Sequence, residues 1–547
     1  MLQHPFEPFF PFKEIREQQR QAIEFVLDAF LNQNKKCCVA ELGTGCGKSA
    51  MAVCIARYLQ AHGGQSMRTG AYILTTQKVL QDQYVKDFGP GVGSSKNLIS
   101  SIKSASNYVC LHKPEQSCAE SRRMLKQLGQ KAGKEFFAAC KYNCCYANDK
   151  QAFLESSIGI TNFSYFLTET VYSKKLMPRG LLIVDECHNS QQEISKFVEM
   201  SFSERFAKTV LGCPKPKGHT QEAIWEWVTK VYSKRLQSKI RKLKKDIEDS
   251  AKETNVDANS ELFKQFEMLE KHMNKVVTFI ASYSDDNWVV NASKTDEKDP
   301  KSGYRFEFKT IDVSEYCNEM MLNYGNKVLM MSATIVDKDS FCRSIGLKTS
   351  DVAFISIPSP FPVENRPLHY IPVGNMSMSK IEETLPNMAS AISDILDQHP
   401  DEKGIIHAVN FRIAKYLHEF VGSKRLLIHD SFNRTEILQY HLESSEPTVL
   451  ISPSMTEGVD LADDMSRFQI ICKVPFPYLG DAVTKKRMQR DKDWYAYQTV
   501  KTVIQALGRS IRHEKDHAVS YILDSDWERF YNQHAHMFPQ EYAKAFE

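Results

Sequence analysis

Residues 35–60, KKCCVAELGTGCGKSAMAVCIARYLQ, decide how this chain is built. The run KKCCVA (35–40) reads as a short buried strand, and the stretch from Ala50 onward reads as a helix. Between them lies ELGTGCGKS (41–49). Gly43, Gly45 and Gly47, with Thr44 in the same turn, let backbone N–H groups close around phosphate oxygens. Lys48 reaches the β and γ phosphates, and Ser49 offers a hydroxyl to Mg²⁺. The N-terminus of the following helix adds a favourable field. Leu42 stands where the strict pattern has its first glycine, so the strand-to-helix context carries the reading together with the motif. A chance glycine loop is the alternative.

Outward from this stretch, AYILTT (71–76) and GLLIVDE (180–186) read as further buried strands, separated by segments of helix length. KVLMMSA (327–333), GIIHAV (404–409), TVLISP (448–453), FQIICKV (468–474) and VSYILD (519–524) repeat the pattern. The alternation predicts an α/β chain with two parallel sheets, one in each half. IVDECH (183–188) ends one strand in adjacent carboxylates. Alone the pair would read as a helix cap. Downstream of a phosphate loop, Asp185 is placed to hold Mg²⁺ through water, and Glu186 to orient or deprotonate the attacking water. QALGRSIR (505–512) adds Gln505, Arg509 and Arg512. On a helix the two arginines share a face, as two groups reaching one phosphoryl would.

Residues 196–300 follow a different period. Leu262, Phe266, Leu269, Met273, Val276 and Ile280 form one helical stripe, and Leu236, Ile240, Leu243 and Ile247 form another upstream. A helical hairpin results. Its first helix carries Lys230, Lys234, Arg235, Lys239, Arg241, Lys242, Lys244 and Lys245, which read equally as a solvated face or a nucleic-acid contact. NASKTDEKDPKSG (291–303) reads as a loop or linker.

Composition bounds the rest. A chain of 547 residues predicts three or four domains, and 70 basic against 67 acidic side chains exclude a histone-like polycation. The N-terminus lacks the features of a signal peptide, and no later stretch approaches 18 uninterrupted apolar residues. These predict a soluble intracellular protein, cytoplasmic or nucleoid-associated, with no membrane partner. In a reducing compartment, fourteen cysteines point to core filling, metal ligation or catalysis rather than disulfides.

The motifs in order resemble those of superfamily-two helicases, and more narrowly the DinG/XPD family of iron–sulfur helicases. REQQ (16–19), ILTTQKVLQDQ (73–83), the DEAH-type box VDECH with Cys187 at its variable place, SAT (332–334), SPFPVENR (359–366), GIIHAVNF (404–411), TEGVDL (456–461) and QALGRSIR carry the likeness over nearly the whole chain. The resemblance implies that Arg16 and Gln19 approach the adenine. It also implies that Glu457, Gly458 and Asp460 belong to the element coupling nucleotide to strand, and that His188 links the acidic box to the second domain. NYVC…C…C…CCY (107–146) matches the family's cysteine insert in place and wording. Cys110, Cys118, Cys140 and Cys144 are then the ligands, with Cys145 the rival for the last place. Four thiolates suit zinc or an iron–sulfur cube, and the resemblance implies [4Fe–4S]. An insert of about 40 residues buries too little surface to fold alone, so ligation substitutes for a core.

The implied architecture is two RecA-like motor domains. Residues 1–105, 147–195 and 304–345 form the first, interrupted by an iron–sulfur insert (106–146) and a helical arch (196–303). Residues 346–547 form the second. The implied activity is ATP-dependent, Mg²⁺-assisted 5′ to 3′ translocation on single-stranded DNA with unwinding of forked DNA. An RNA–DNA hybrid is a further duplex to consider, and the complete motor predicts a monomer. Lys103, Arg122, Arg123 and Lys126 read as phosphate contacts or ordinary surface charge. The rival readings are a metal-stabilised nucleic-acid-binding scaffold with a vestigial ATP site, and a translocase that moves on RNA or displaces proteins.

Overall fold

Seven parallel strands form the first sheet of the computed structural model, which describes residues 5–89, 99–128, 134–142, 144–250, 256–295, 302–430, 432–453 and 461–546. Their order is Val352–Ile357, Cys37–Leu42, Gly325–Ser332, Arg179–Asp185, Ala71–Thr75, Ile158–Asn162 and Ile99–Ser101. Every residue of Cys37–Leu42, Ala71–Thr75 and Arg179–Asp185 is buried. Helices Glu17–Leu31 and Lys48–His62 pack on one face of the sheet. Strands covered on both faces show unbroken apolar runs, which is why these segments are visible in the sequence.

A second parallel sheet has the order Leu368–Gly374, Val519–Asp524, Phe468–Ile471, Gly404–His407, Val449–Ser452 and Leu426–Ile428. The two sheets, with helices on their faces, make the α/β architecture of two RecA-like domains. The domain boundary moves from the expected 345/346. Val352–Ile357 pairs in register with Cys37–Leu42, so the first sheet ends only at Ile357 and the second begins at Leu368. The chain returns to the first sheet because Cys37–Leu42 still has an open edge for Val352–Ile357 to pair with.

Two insertions leave the first domain. Helices Cys118–Leu128, Lys134–Tyr142 and Cys145–Glu155 lie between strands Ile99–Ser101 and Ile158–Asn162. The second insertion contains helices Ser233–Ser250 and Val256–Ser282, which pack together through both predicted stripes. Its base is a three-stranded antiparallel sheet that the sequence did not reveal, with order Met200–Ser203, Tyr304–Thr310, Trp288–Lys294. The expected loop at 291–303 is corrected at its start, and its residues 296–301 lie outside the described residues. Residues 291–294 continue a strand, Lys294 lies opposite Tyr304, and the arch runs on to Thr310. Phe306 and Phe308 are fully buried on the inner face beside Phe202. Burying each such ring stabilises by about 1.5–3 kcal/mol. Among the described residues no helix is long and apolar enough to cross a membrane.

Candidate nucleotide site and thiol cluster

The glycine loop joins strand Cys37–Leu42 to helix Lys48–His62, and Gly43 N–H donates to Ile357 O at 2.9 Å. Gly47 has φ +78°, and a Cβ there would lie 2.4 Å from Gln19 Nε2. Only glycine meets both demands. Gln19 Nε2 donates to Cys46 O at 3.1 Å, and its Oε1 accepts from Arg16 N–H at 3.0 Å. Arg16 Nη1 donates to Gly45 O at 2.8 Å. Arg16 and Gln19 thus brace the outside of the loop from the start of helix Glu17–Leu31. On the other side Ser359 Oγ donates to Thr44 O at 2.8 Å.

Lys48 and Ser49 open the helix beneath the loop. Lys48 Nζ lies 3.5 Å from Glu186 Oε1. Burial works against the ammonium charge, but the Glu186 and Asp185 carboxylates outweigh it and raise the pKa of Lys48. Asp185 closes strand Arg179–Asp185. Burial, and then the Glu186 charge, push its pKa up. Its Oδ2 accepts from the Tyr84 hydroxyl at 2.9 Å, and its Oδ1 from Glu186 N–H at 3.0 Å. Glu186 sits at φ +50°, a left-handed conformation that costs a non-glycine residue about 1–3 kcal/mol and clusters at functional sites. Burial pulls its pKa upward, but Lys48, His188 and Arg509 hold it below the ordinary value. Lys48, Ser49, Asp185 and Glu186 thus share one partly buried site with the chemistry to bind a nucleotide phosphate and a hard divalent cation.

His188 carries this pocket into the second domain. Its Nδ1 lies 2.6 Å from Ser332 Oγ, and its Nε2 lies 2.6 Å from Gln505 Nε2. Lys501 Nζ donates to His188 O at 3.4 Å. The expectation that Arg509 and Arg512 share a helical face is corrected: the helix Lys492–Leu507 ends before them, with Gly508 following, and both lie on the segment beyond. Arg509 still acts electrostatically on Glu186 and His188. Arg512 is anchored through its N–H to Asp516 Oδ2 at 3.0 Å. Glu457, Gly458 and Asp460 lie outside the described residues.

Cys110, Cys118, Cys140, Cys144 and Cys145 all line one small cavity, Cys145 from an exposed position. Cys118 Sγ and Cys144 Sγ are 3.6 Å apart. A tetrahedral zinc with Zn–S of about 2.3 Å would hold every sulfur pair near about 3.8 Å. The Cys118–Cys144 pair has that spacing, while among the described residues no three of the four sulfurs come within 4.8 Å of one another. Nearby charges are in part engaged. Arg123 pairs with Glu267 of the arch at 3.1 Å, Lys103 with Asp82 at 2.6 Å, and the Arg122 guanidinium lies 5.3 Å from the centre of the Tyr146 ring. The side chain of Lys126 lies outside the described residues.

Sequence reasoning missed two residues here. Tyr84 carries no signal beyond lying in a polar helix. Arg487 donates from the second domain to the carbonyls of Ile311 and Thr310 at 2.8 and 2.9 Å, at the foot of the arch. Nothing in its local pattern distinguishes it from neighbouring lysines.

Fold and site together define a P-loop protein of two RecA-like domains. A family model described as the helicase C-terminal domain matches residues 405–545, and one described as the Type III restriction enzyme res subunit matches residues 12–212. The regulator of telomere elongation helicase 1 homolog of Caenorhabditis elegans is 31% identical over 102 residues, which is 16% of this chain and 10% of the relative. ATP-dependent DNA helicase YoaA of Escherichia coli (strain K12) is 22% identical over 228 residues, 39% of this chain and 35% of the relative. The matched stretches thus span between a tenth and about a third of these relatives. A solved XPD helicase structure shares the fold with a TM-score of 0.65 at 16% identity, covering 98% of this chain and 99% of that one. The chain belongs to the XPD/DinG-like family of superfamily-two helicases.

Proposed function

We propose that this protein is an ATP-dependent DNA helicase that moves 5′ to 3′ on single-stranded DNA and separates duplexes. The observation that carries the reading is the pocket in which Lys48, Asp185 and Glu186 of the first domain meet Gln505 of the second through His188, with Arg509 in electrostatic reach. ATP binds with its phosphates under the glycine loop. Glu186 takes a proton from the attacking water, and Lys48 and Arg509 offset negative charge on the phosphoryl oxygens. Ser49 and Asp185 would hold Mg²⁺, which would supply further neutralisation of phosphate charge. Loss of the γ-phosphate removes what draws Arg509 inward, so the domains alternate between closed and open. Gly458 and Asp460 are proposed to relay that alternation to the strand, and Arg512 to join Arg509 at the nucleotide.

Cys110, Cys118, Cys140 and Cys144 are proposed to hold a [4Fe–4S] cluster. Their common cavity supports one shared metal group, and the likeness to XPD/DinG-type helicases is what favours a cube over a single zinc; the Cys118 and Cys144 sulfurs, 3.6 Å apart, would have to separate to hold it. The cluster would supply rigidity to an insert whose three short helices bury little of their own. With the arch, to which Arg123–Glu267 ties it, this insert is the wedge that parts the strands.

The test is ATP turnover with and without single-stranded DNA, followed by strand separation on 5′-tailed and 3′-tailed duplexes with DNA or RNA tails. DNA-stimulated turnover with unwinding from the 5′ tail is expected. Turnover without polynucleotide dependence would sink the reading, and a preference for RNA tails would move it to an RNA translocase.

A further inference from the structure

Tyr84 is a buried polar group of the nucleotide pocket to which the proposed reaction gives no task. It lies on helix Lys78–Phe88, with only 2% of its surface exposed. Its hydroxyl donates to Asp185 Oδ2 at 2.9 Å. This hydroxyl therefore bonds one of the two side chains that would hold the divalent cation.

A buried hydroxyl is costly unless bonded, and phenylalanine would fill the same volume at no such cost. What the hydroxyl adds is orientation. With Tyr84 on Oδ2 and Glu186 N–H on Oδ1, the carboxylate cannot rotate freely about its Cβ–Cγ bond. Groups ordered in advance bind with less loss of freedom, and partners behind a metal ligand are worth about 10–100-fold in metal affinity.

Resting on the nucleotide-site reading above, we propose that Tyr84 is a positioning residue for the divalent cation, orienting Asp185 before nucleotide arrives. Tyr84 stays outside the set of groups that touch the nucleotide.

The test uses the full chain, ADP and Mn²⁺ as the probe cation, read by electron paramagnetic resonance. ADP binding in EDTA serves as the control for fold and pocket. In Tyr84→Phe, ADP binding in EDTA is expected unchanged, while Mn²⁺ affinity in the presence of ADP falls roughly tenfold. Unchanged Mn²⁺ affinity overturns the role of Tyr84 and leaves the nucleotide reading standing. A wild-type protein that binds neither ADP nor Mn²⁺–ADP overturns the nucleotide reading itself. Ser49→Ala, alone and combined with Tyr84→Phe, gives a second measure. If Tyr84 acts through Asp185 alone, its loss adds independently to that of Ser49→Ala, and a double variant no weaker than Ser49→Ala alone overturns the role.

Discussion

Gln505 Nε2 lies 2.6 Å from His188 Nε2, across the cleft between the two domains. A donating amide requires an accepting ring nitrogen, so the hydrogen-bond pattern assigns the proton to His188 Nδ1, which faces Ser332 Oγ at 2.6 Å. Burial pushes the imidazole pKa down to about 3, which keeps this neutral tautomer at working pH. Gln505→Ala leaves a buried acceptor without its donor, a loss of about 1–3 kcal/mol, so polynucleotide-stimulated ATP turnover should fall roughly 10–100-fold at every pH. Gln505→Glu sets an acceptor against an acceptor. The new carboxylate favours the charged ring and raises the pKa of His188, so that variant should be weakest at pH 8 and recover as acid protonates the ring. A pH profile parallel to that of Gln505→Ala would contradict the tautomer assignment.

Acid should destabilise the protein within a definite window. His188 is pushed down to about 3, and His272, His407 and His441 each to about 4, in every case chiefly by burial. Above the ordinary value of 6.5 both folded and unfolded chains hold these rings neutral, so the full stability is present. As pH falls below 6.5 the unfolded chain takes up protons that the folded chain refuses, and stability drops toward the folded values. Between pH 6.5 and 5 each ring contributes a loss of up to about 2 kcal/mol. Melting temperature measured from pH 8 to pH 5 should be flat at first and then decline. A level curve throughout would show that these rings accept protons in place.

The thiol cluster makes a residue-by-residue prediction. Protein purified without oxygen should carry iron and sulfide. Cys110→Ser, Cys118→Ser, Cys140→Ser and Cys144→Ser should each lose most of it, because each lines the shared cavity from a buried or half-buried position. Cys145→Ser should keep it, since that residue is exposed at the border. Iron retained in Cys144→Ser and lost in Cys145→Ser would exchange the two roles.

What the sequence made legible follows from how each element is buried. Cys37–Leu42 and Arg179–Asp185 lie between two layers of helix, so their apolar runs, and the phosphate loop and acidic pair at their ends, stand out without a structure. The antiparallel sheet under the arch was invisible because its strands come from positions 200, 288 and 304, and because Ser293 and Lys294 face solvent, which made the end of one strand resemble a loop. Arg509 and Arg512 were read on a helix because nothing before Gly508 breaks the helical pattern. Tyr84 was hidden for a different reason: its partner Asp185 is 101 residues away in sequence, and only the packing of helix Lys78–Phe88 against the sheet brings the two together.

Arg487 offers a way to separate ATP turnover from the work done with it. Its guanidinium leaves the second domain, donates to the carbonyls of Ile311 and Thr310, and lies 5.7 Å from the Trp494 ring centre. Close by, Asn291 Nδ2 donates to Asp481 Oδ1 at 2.7 Å, and Val289 and Ile311 pack against Val483. The foot of the arch is therefore attached to the second domain as well as continuous with the first. Any nucleotide-driven movement between the domains must strain or shift this attachment. Arg487→Met keeps much of the volume and removes the donors, leaving two carbonyls short of partners at about 1–3 kcal/mol each. Arg487→Lys keeps the charge but replaces the planar fork with a single ammonium, so it should restore only part of the link. Turnover stimulated by single-stranded DNA should survive in both, while base pairs separated per ATP should fall, most in Arg487→Met. Proportional loss of turnover and unwinding would mean that Arg487 only supports the fold and that the arch foot transmits nothing.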